Sequence, residues 1–141
     1  MAIDTKILGL DDLNVLSNVA PEVFDYSIDP LLATEFLNDQ RHHLAVALDG
    51  GQVVGFASAV HYIHPDKPPE LWINEIGVAP SHQGHGIGKT LLRSLFDVAR
   101  ELECKEAWVL TDQSNERALR LYTSAGGHPS TQVMFSFRLS D

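Results

Sequence analysis

The sequence predicts an α/β (α+β) fold in which helices pack on a mixed sheet. Stretches rich in β-forming apolar residues indicate strands over residues 43–48, 52–63, 71–78, 104–111 and 131–139. Apolar residues at helical spacing separate the last three of these stretches. A hairpin followed by a strand–helix–strand–helix–strand order is typical of a mixed sheet that helices cover.

The first forty residues predict one strand and two helices. A strand over 5–10 leads to a helix over 11–20, for which Asp11 is the expected cap. An acidic loop over 21–28 precedes a second helix over 29–39, whose opening Asp-Pro pair supplies a cap and a residue suited to the first helical position. The expected apolar contacts of the two helices are Leu13, Leu16, Val19, Leu31, Leu32 and Phe36.

A β-hairpin is predicted next. Its turn is Asp49-Gly50-Gly51, because Asp and Gly tolerate the positive φ that a tight hairpin turn requires. Gly55, inside the second strand, predicts either a bulge or a close packing contact. The double proline in the loop over 64–69 prevents regular structure there.

The stretch from Glu70 to Phe96 organises the chain. A buried strand over 71–78 is followed by a loop over 79–88, with one Pro and three Gly, and then by a helix over 88–102. A glycine-rich loop that opens a helix is a ready anion site. Free backbone N–H groups and the helix dipole face the ligand, and glycine lets a phosphate come close to the backbone.

Two familiar phosphate-binding loops can be tested by counting residues. Gly88-Lys89-Thr90 matches the end of the nucleoside-triphosphate loop, but residue 83 is Gln where that loop needs Gly. Gly84-His85-Gly86 begins the dinucleotide fingerprint, but Lys89 stands where that fingerprint needs its last Gly. A nucleotide-phosphate binder is therefore the less favoured interpretation.

The last forty residues predict a strand, a helix and a final strand. The strand over 104–111 leads to a helix that Ser114 or Asn115 caps and that ends near Ser124. Gly126-Gly127 terminates this helix, because glycine adopts the left-handed conformation common after a last helical turn. In the final predicted strand, apolar side chains alternate at Val133, Phe135, Phe137 and Leu139.

Three units in this order resemble the GCN5-related N-acetyltransferase (GNAT) family. The loop Gln83–Gly88 is similar to the family's acyl-coenzyme A loop, Val78–His82 precedes it, and the run Asn115–Gly126 follows. The resemblance implies one GNAT domain over 1–141, with a six- or seven-stranded mixed sheet, about four helices and acetyl-coenzyme A as co-substrate. The implied coenzyme-binding residues are Ile76, Gly77, Val78, Gln83, Gly84, His85, Gly86, Ile87, Gly88, Lys89 and Asn115.

Glu75 and Tyr122 are the candidate catalytic residues. Glu75 lies inside an apolar strand, where burial would raise its pKa, and it could take a proton from an ammonium substrate directly or through water. A solvated Glu or a structural ion pair is the alternative. The resemblance places the Tyr122 hydroxyl near the thioester sulfur, whereas core packing is its alternative. Gln83, Lys89 and Asn115 likewise keep structural or solvated alternatives.

Within the family, the chain most resembles the type I aminoglycoside 3-N-acetyltransferases, in the stretches 70–75, 111–116 and 121–137. This implies acetylation of the 3-amino group of an aminoglycoside, and hence antibiotic resistance. Another small amine, such as a polyamine, an amino acid or a protein terminus, remains an alternative, as does a non-catalytic coenzyme A sensor. The candidate acceptor-binding acids are Asp112, Glu116, Asp25 and Asp29.

Composition narrows the classes of partner. Ten basic and nineteen acidic residues give a formal charge of −9, which argues against nucleic acid and suits a cationic partner, although solubility alone also explains it. With one cysteine, Cys104, no signal sequence and no membrane-length apolar run, we expect a cytoplasmic protein. His82 and His85 lack a third ligand, so no metal is expected. The oligomeric state stays open between a monomer and a homodimer.

Overall fold

The computed structural model describes residues 2–141 and contains a five-stranded mixed sheet. The strands lie side by side in the order in which they occur in the chain. The first three pairings are antiparallel, and only the last, β4 with β5, is parallel. The strands are β1 (Ile3–Ile7), β2 (His42–Asp49), β3 (Gln52–Tyr62), β4 (Glu70–Val78) and β5 (Glu106–Val109).

Helical segments connect and cover these strands. They are a 3₁₀ helix (Leu10–Ser17), α1 (Pro30–Asn38), a short 3₁₀ turn (Pro80–His82), α2 (Ile87–Glu101) and α3 (Glu116–Ser124). The apolar side of α2 forms the core with one face of the sheet, because its leucines are as deeply buried as the residues of β4 that alternate toward it. These core residues include Leu71, Ile73, Leu91, Leu92 and Leu95.

Several predictions of local structure are confirmed. Gly50 and Gly51 form the hairpin turn with φ of +57° and +84°. The Asp29 carboxylate caps α1, accepting a hydrogen bond from the Leu31 N–H at 2.9 Å. Gly55 meets both expectations, since the β2–β3 register shifts beside it and a Cβ there would lie 3.2 Å from Cγ2 of Ile87. Each of these features depends on residues close in the sequence or on one close contact.

The first forty residues differ from the prediction in four respects. β1 ends at Ile7, and the segment predicted as an α-helix over 11–20 is a 3₁₀ helix. Gly9, not Asp11, is its N-cap, because the Asp12 carboxylate turns back to accept from the Gly9 N–H at 2.7 Å. In α1, Leu31 and Leu32 are exposed, so they are not the apolar contacts that were expected, whereas Phe36 packs on the core.

The prediction of six or seven strands is wrong, because the described chain has five. The segment 131–139 forms no strand, and β5 covers only the middle of the predicted stretch 104–111. An alternating pattern becomes a strand only when a neighbouring strand accepts its backbone hydrogen bonds. Within residues 2–141, the segment 131–139 has no such neighbour.

On the sheet face opposite α2, the loop between the 3₁₀ helix and α1 crosses β3 and β4. The ring of Phe24 stacks on that of Phe56 with a centroid distance of 4.0 Å, and Phe56 pairs across the strands with Gly77. A Cβ on Gly77 would lie 2.3 Å from the Val23 carbonyl oxygen. Gly77 therefore allows this loop to lie directly on the backbone of β4.

We predict that Gly77→Ala destabilises the protein by about 1–3 kcal/mol, because the new methyl group collides with backbone that cannot rotate away. Urea unfolding followed by circular dichroism measures the change. Gly9→Ala is the matched control, since its nearest neighbour would be 3.7 Å away and its φ of −120° suits Ala. Equal free energies of unfolding for the two variants would show that the crossing loop is not held by Gly77.

Candidate functional site

The edge of β4 is open over its second half. β5 pairs with β4 only from Glu70 to Ile73. On the other side, Ala59 pairs with Ile73 and Ser58 pairs with Glu75, so Asn74 is an extra, bulged residue. Beyond this bulge, no described strand pairs with the outer edge of β4 up to Val78. An unpaired strand edge presents backbone N–H and C=O groups to an extended ligand.

The glycine-rich loop follows directly at the end of this open edge. Gly84 and Gly86 have φ of +81° and +77°, and a Cβ on either would meet no atom within 4 Å. Gly86 is the N-cap of α2, whose first N–H groups have no carbonyl partner in a preceding turn. The loop thus combines accessible backbone with the positive end of a helix dipole, the arrangement that binds phosphate groups.

Gln83 connects the loop to the rest of the site. Its side-chain Nε2 donates to the Val78 carbonyl at 3.0 Å, and its Oε1 accepts from the Arg117 guanidinium on α3. In the structure, both polar ends of the Gln83 side chain bind other parts of the protein, as the structural alternative to coenzyme binding expects. The sequence did not single out Arg117, because a residue 34 positions away gives no local signal. Lys89 is half-buried at the start of α2.

α3 packs against the start of α2, near the open edge. The Asn115 side chain caps α3, since its Oδ1 accepts from the Ala118 N–H at 3.1 Å. A Cβ on Gly88 would lie 3.2 Å from Leu121 Cδ2, so α2 and α3 approach closely here. The neighbouring Tyr122 is half-buried, and burial raises the pKa of its hydroxyl above the ordinary value. This hydroxyl therefore stays protonated throughout the neutral range.

Glu75 is exposed, so the expectation that it would be buried is wrong. The cause is the bulge at Asn74, which interrupts the alternation of β4 just before it. Glu75 pairs with Ser58, two residues from Phe56, and so lies on the sheet face that carries the crossing loop. The carboxylate is accessible to a substrate on that face.

Two of the candidate acids lie in or next to the crossing loop. Asp25 is exposed and directly follows Phe24, whose ring stacks on Phe56, so it lies over the same face of the sheet as Glu75. Asp29 instead uses its Oδ1 to cap α1, with the Leu31 N–H at 2.9 Å. The structure thus brings Asp25 toward the face of Glu75 and gives Asp29 a local duty.

The other two candidate acids follow β5. Asp112 has a structural role, because its Oδ1 accepts from both the N–H and the hydroxyl of Ser114 at 2.9 and 2.8 Å. These hydrogen bonds, above all the one from the backbone N–H, lower the pKa of Asp112, so it is a carboxylate at neutral pH. Glu116 is exposed in the first turn of α3, and its Oε2 lies 4.0 Å from Nη1 of Arg120.

An aromatic cluster lies on the same sheet face and was missed by sequence reasoning. It consists of Tyr62, Trp72 and Trp108, with nearly parallel rings and centroid distances of 5.2–6.4 Å. Trp72 stands between the buried residues Leu71 and Ile73, so it points to the opposite face. That alternation was a usable signal for Trp72, whereas its pairing with Trp108 required the strand register.

The histidines of the loop have other partners or are exposed. His82 Nε2 lies 2.8 Å from the Asp49 carboxylate, and its Nδ1 lies 2.8 Å from the Ser81 hydroxyl. Across residues 2–141, His, Cys, Asp and Glu form no group of three or more that could hold a metal ion. In the same residues, no helix has the length and apolar character needed to cross a membrane.

Two curated proteins are similar to this chain over their matched parts. N-alpha-acetyltransferase RimI of Mycobacterium tuberculosis is 37% identical over 90 residues, which cover 64% of this chain and 54% of that protein. Streptothricin acetyltransferase of Streptomyces lavendulae is 39% identical over 88 residues, which cover 62% of this chain and 44% of that protein. The chain thus spans about half the length of the curated relatives that it matches.

Two solved structures have the same fold. The aminoglycoside acetyltransferase meta-AAC0020 from an uncultured soil metagenomic sample, in complex with sisomicin, superposes with a TM-score of 0.87 at 22% identity, over 98% of this chain and 97% of that chain. AAC(6′)-Iy in complex with a coenzyme A bisubstrate analogue superposes with a TM-score of 0.82 at 20% identity, over 99% of this chain and 100% of that chain. At these identities the likeness concerns the fold alone.

The family assignment rests on the model of the acetyltransferase (GNAT) family. This model matches residues 11–126, which include the crossing loop, the open edge of β4, the glycine loop and α3. The match extends over far more than half of the chain. The chain therefore belongs to the acetyltransferase (GNAT) family.

Proposed function

We propose that this protein transfers an acetyl group from acetyl-coenzyme A to a primary amine of a cationic small molecule, an aminoglycoside in the first instance. The observation that carries the proposal is the open edge of β4. This edge leads straight into the glycine loop and the first turn of α2, and α3 with Tyr122 stands on its other side. One extended ligand with phosphates at one end would fit all three.

The coenzyme is proposed to bind mainly to backbone. Its pantetheine arm contains amides that would pair with Ile76–Val78 as an added strand does. The loop Gln83–Lys89 would hold the pyrophosphate, because the helix N-terminus and the accessible glycine backbone favour an anion. The Asn115 side chain, whose oxygen caps α3, keeps an amide N–H₂ for the pantetheine.

In the proposed reaction, Glu75 accepts a proton from the ammonium group, directly or through water, so that the amine can attack the thioester carbonyl. A backbone N–H near Val78 stabilises the negative charge on the carbonyl oxygen. The thiolate of coenzyme A leaves and takes a proton from Tyr122, whose burial keeps the hydroxyl protonated. Most of the rate enhancement comes from holding the amine against the carbonyl.

The proposed acceptor is polycationic, because Asp25 lies over the same sheet face as Glu75 and the loop after β5 would add further acids. Asp25 and the Asp112–Glu116 loop supply carboxylates, and the formal charge of −9 attracts a cation in a salt-dependent way. The names of two similar proteins point the same way, one to streptothricin and one to sisomicin. Acetylation of the 3-amino group is a narrower hypothesis. The 6′-amino group is its competitor, because another similar structure is named AAC(6′)-Iy. NMR of the acetylated product identifies the position.

A second candidate acceptor is the amino group of a protein terminus. It is favoured by the 37% identity with RimI, a protein whose name gives N-alpha-acetyltransferase activity. Free thiol release from acetyl-coenzyme A, measured with 2-deoxystreptamine drugs, polyamines, amino acids and peptides, separates these acceptors. No release with any amine, combined with tight coenzyme A binding, would instead support a non-catalytic coenzyme A sensor.

We predict that Gly86→Asp abolishes binding of acetyl-coenzyme A in calorimetric titration, because it places a carboxylate where the pyrophosphate should lie. Gly86→Asn is the matched control. Asn has nearly the same shape and tolerates the left-handed conformation of this position, φ +77°, but carries no charge. Equal weakening by both variants would show that the loop does not bind phosphate electrostatically.

We predict that Glu75→Gln lowers the turnover number at neutral pH roughly 10²-fold, with the dissociation constant of acetyl-coenzyme A unchanged. The rate is measured as thiol release with the best acceptor of the panel. Glu106→Gln removes an exposed carboxylate from the same sheet and serves as the control, with turnover near that of the native chain. A Glu75→Gln protein that keeps its turnover and pH profile would assign the proton to another group.

We predict that Asp112→Asn raises the KM of a gentamicin-like drug and leaves the KM of acetyl-coenzyme A unchanged. Asn retains an oxygen that can accept from the Ser114 N–H, so the loop keeps its turn and only the charge is lost. Ser114→Ala is the complementary control, because it removes the hydroxyl bond and keeps the charge. If Ser114→Ala raises the drug KM and Asp112→Asn does not, the loop shape, rather than its charge, governs acceptor binding.

A further inference from the structure

The aromatic cluster of Tyr62, Trp72 and Trp108 lies on the side of the sheet that α2 does not cover. Its rings come from the neighbouring strands β3, β4 and β5 and are nearly parallel, with interplanar angles of 8–14°. Within residues 2–141, none of the three rings belongs to the hydrophobic core or packs against its buried residues. Tyr62 is 38% exposed and both tryptophans are half-buried, so aromatic surface remains open to a ligand.

The elements that cover this face of the sheet lie beside the cluster. The crossing loop lies over the ring of Phe56 and the backbone of Gly77, toward the other end of β3 and β4. α1 lies over β2, where the ring centroid of Phe36 is 5.1 Å from that of His42. β3 separates β2 from β4 and β5. The cluster therefore occupies a part of the face next to α1 and the crossing loop, where its rings stay partly exposed.

The cluster is continuous with the part of the face that carries Glu75. Ser58 of β3 pairs with Glu75, and two positions further along β3, Val60 pairs with Trp72. Residues two positions apart in a strand point to the same side, so Glu75 and Trp72 share one face. At roughly 3.3 Å per residue, they lie about 7 Å apart along the sheet. An acceptor whose amine lies at Glu75 can therefore place its neighbouring ring on the cluster.

The chemistry of the cluster favours a ring that carries an ammonium group. The face of a Trp or Tyr ring attracts an ammonium group within about 6 Å of its centroid, and its apolar surface packs against the C–H face of a saccharide ring. Glu70 pairs with Tyr62 and adds a carboxylate to the same face, held by His64 with an Nε2 to Oε2 distance of 2.8 Å. An amino sugar matches both the aromatic and the acidic groups.

We propose that the aromatic cluster binds a second ring of the acceptor, an amino sugar, while the amine that is acetylated lies at Glu75. This inference rests on the proposed function and narrows it to acceptors that have at least two linked rings. A single aminocyclitol ring or a short linear amine has no second ring and cannot occupy both places. Tyr62, Trp72 and Trp108 are thus specificity-determining residues, and they take no part in proton transfer.

The two tryptophans of the chain are a direct probe of this binding. The chain contains two, and both belong to the cluster, so intrinsic tryptophan fluorescence reports on the cluster without a label. Titration with sisomicin, with and without coenzyme A, should change the emission in a saturable way. The drug has no aromatic group and does not absorb where tryptophan is excited. Free 2-deoxystreptamine, a single ring, should leave the emission unchanged at the concentration that saturates the response to sisomicin.

Substitutions test the same contact through the kinetics. Trp108→Leu should raise the KM of sisomicin roughly 3- to 30-fold, because it removes one ring of the cluster. The turnover number, the dissociation constant of acetyl-coenzyme A and the KM of the smallest amine that is acetylated should stay unchanged. Trp108→Phe retains a ring and should restore most of the affinity for the drug. Tyr62→Leu and Tyr62→Phe form a second matched pair on another strand, which covers the case in which Trp108→Leu does not fold.

Failure of this inference and failure of the proposed function give different results. If sisomicin is acetylated, but the fluorescence is constant and the Leu variants keep the native KM, the cluster does not bind the acceptor and the proposed function stands. Equal effects of the Leu and Phe variants would also overturn the inference, because the aromatic ring would then not matter. If no amine is acetylated, but calorimetry shows sisomicin binding that Trp108→Leu weakens and Trp108→Phe retains, the cluster site stands and the proposed function fails.

Discussion

The bulge at Asn74 governs the geometry of the candidate site. Before it, β4 is paired on both sides and its apolar residues alternate regularly into the core. After it, β4 keeps only β3 as a neighbour, and its outer edge becomes accessible as far as Val78. The same irregularity brings Glu75 out to the surface. The bulge thus lies where the pairing with β5 ends, and it exposes the carboxylate at the start of the open edge.

Three elements converge on this edge because polar side chains and small residues hold them there. Gln83 joins the end of β4 to Arg117 of α3, so the glycine loop is fixed between a strand and a helix. Gly88 lets α2 approach Leu121, and Gly77 lets the crossing loop lie on β4. The loop can therefore present its backbone in a fixed orientation, which is what electrostatic binding of a phosphate requires.

How much the sequence predicts depends on how local the determining contact is. The Asp29 and Asn115 caps and the hairpin turn at Gly50 are correct, because neighbours in the chain decide them. The prediction that Glu75 is buried is wrong, because its exposure follows from a register shift between β3 and β4. The aromatic cluster, which pairs residues of three strands, and the missing last strand also depend on partners that no local pattern reveals.

The two halves of the proposed site, one for the coenzyme and one for the acceptor, consist of different kinds of groups. Substitutions in the two halves therefore have different effects on stability. The proposed coenzyme half consists of backbone, glycines and a helix end that also belong to the fold, so we expect changes there to alter stability as well as binding. The proposed acceptor half consists of exposed side chains, among them Asp25, Asp112 and Glu116, most of which the core does not need. Substitution at such positions costs little stability. Under the proposed function, a GNAT chain of this design can therefore change its amine acceptor while its coenzyme site stays the same.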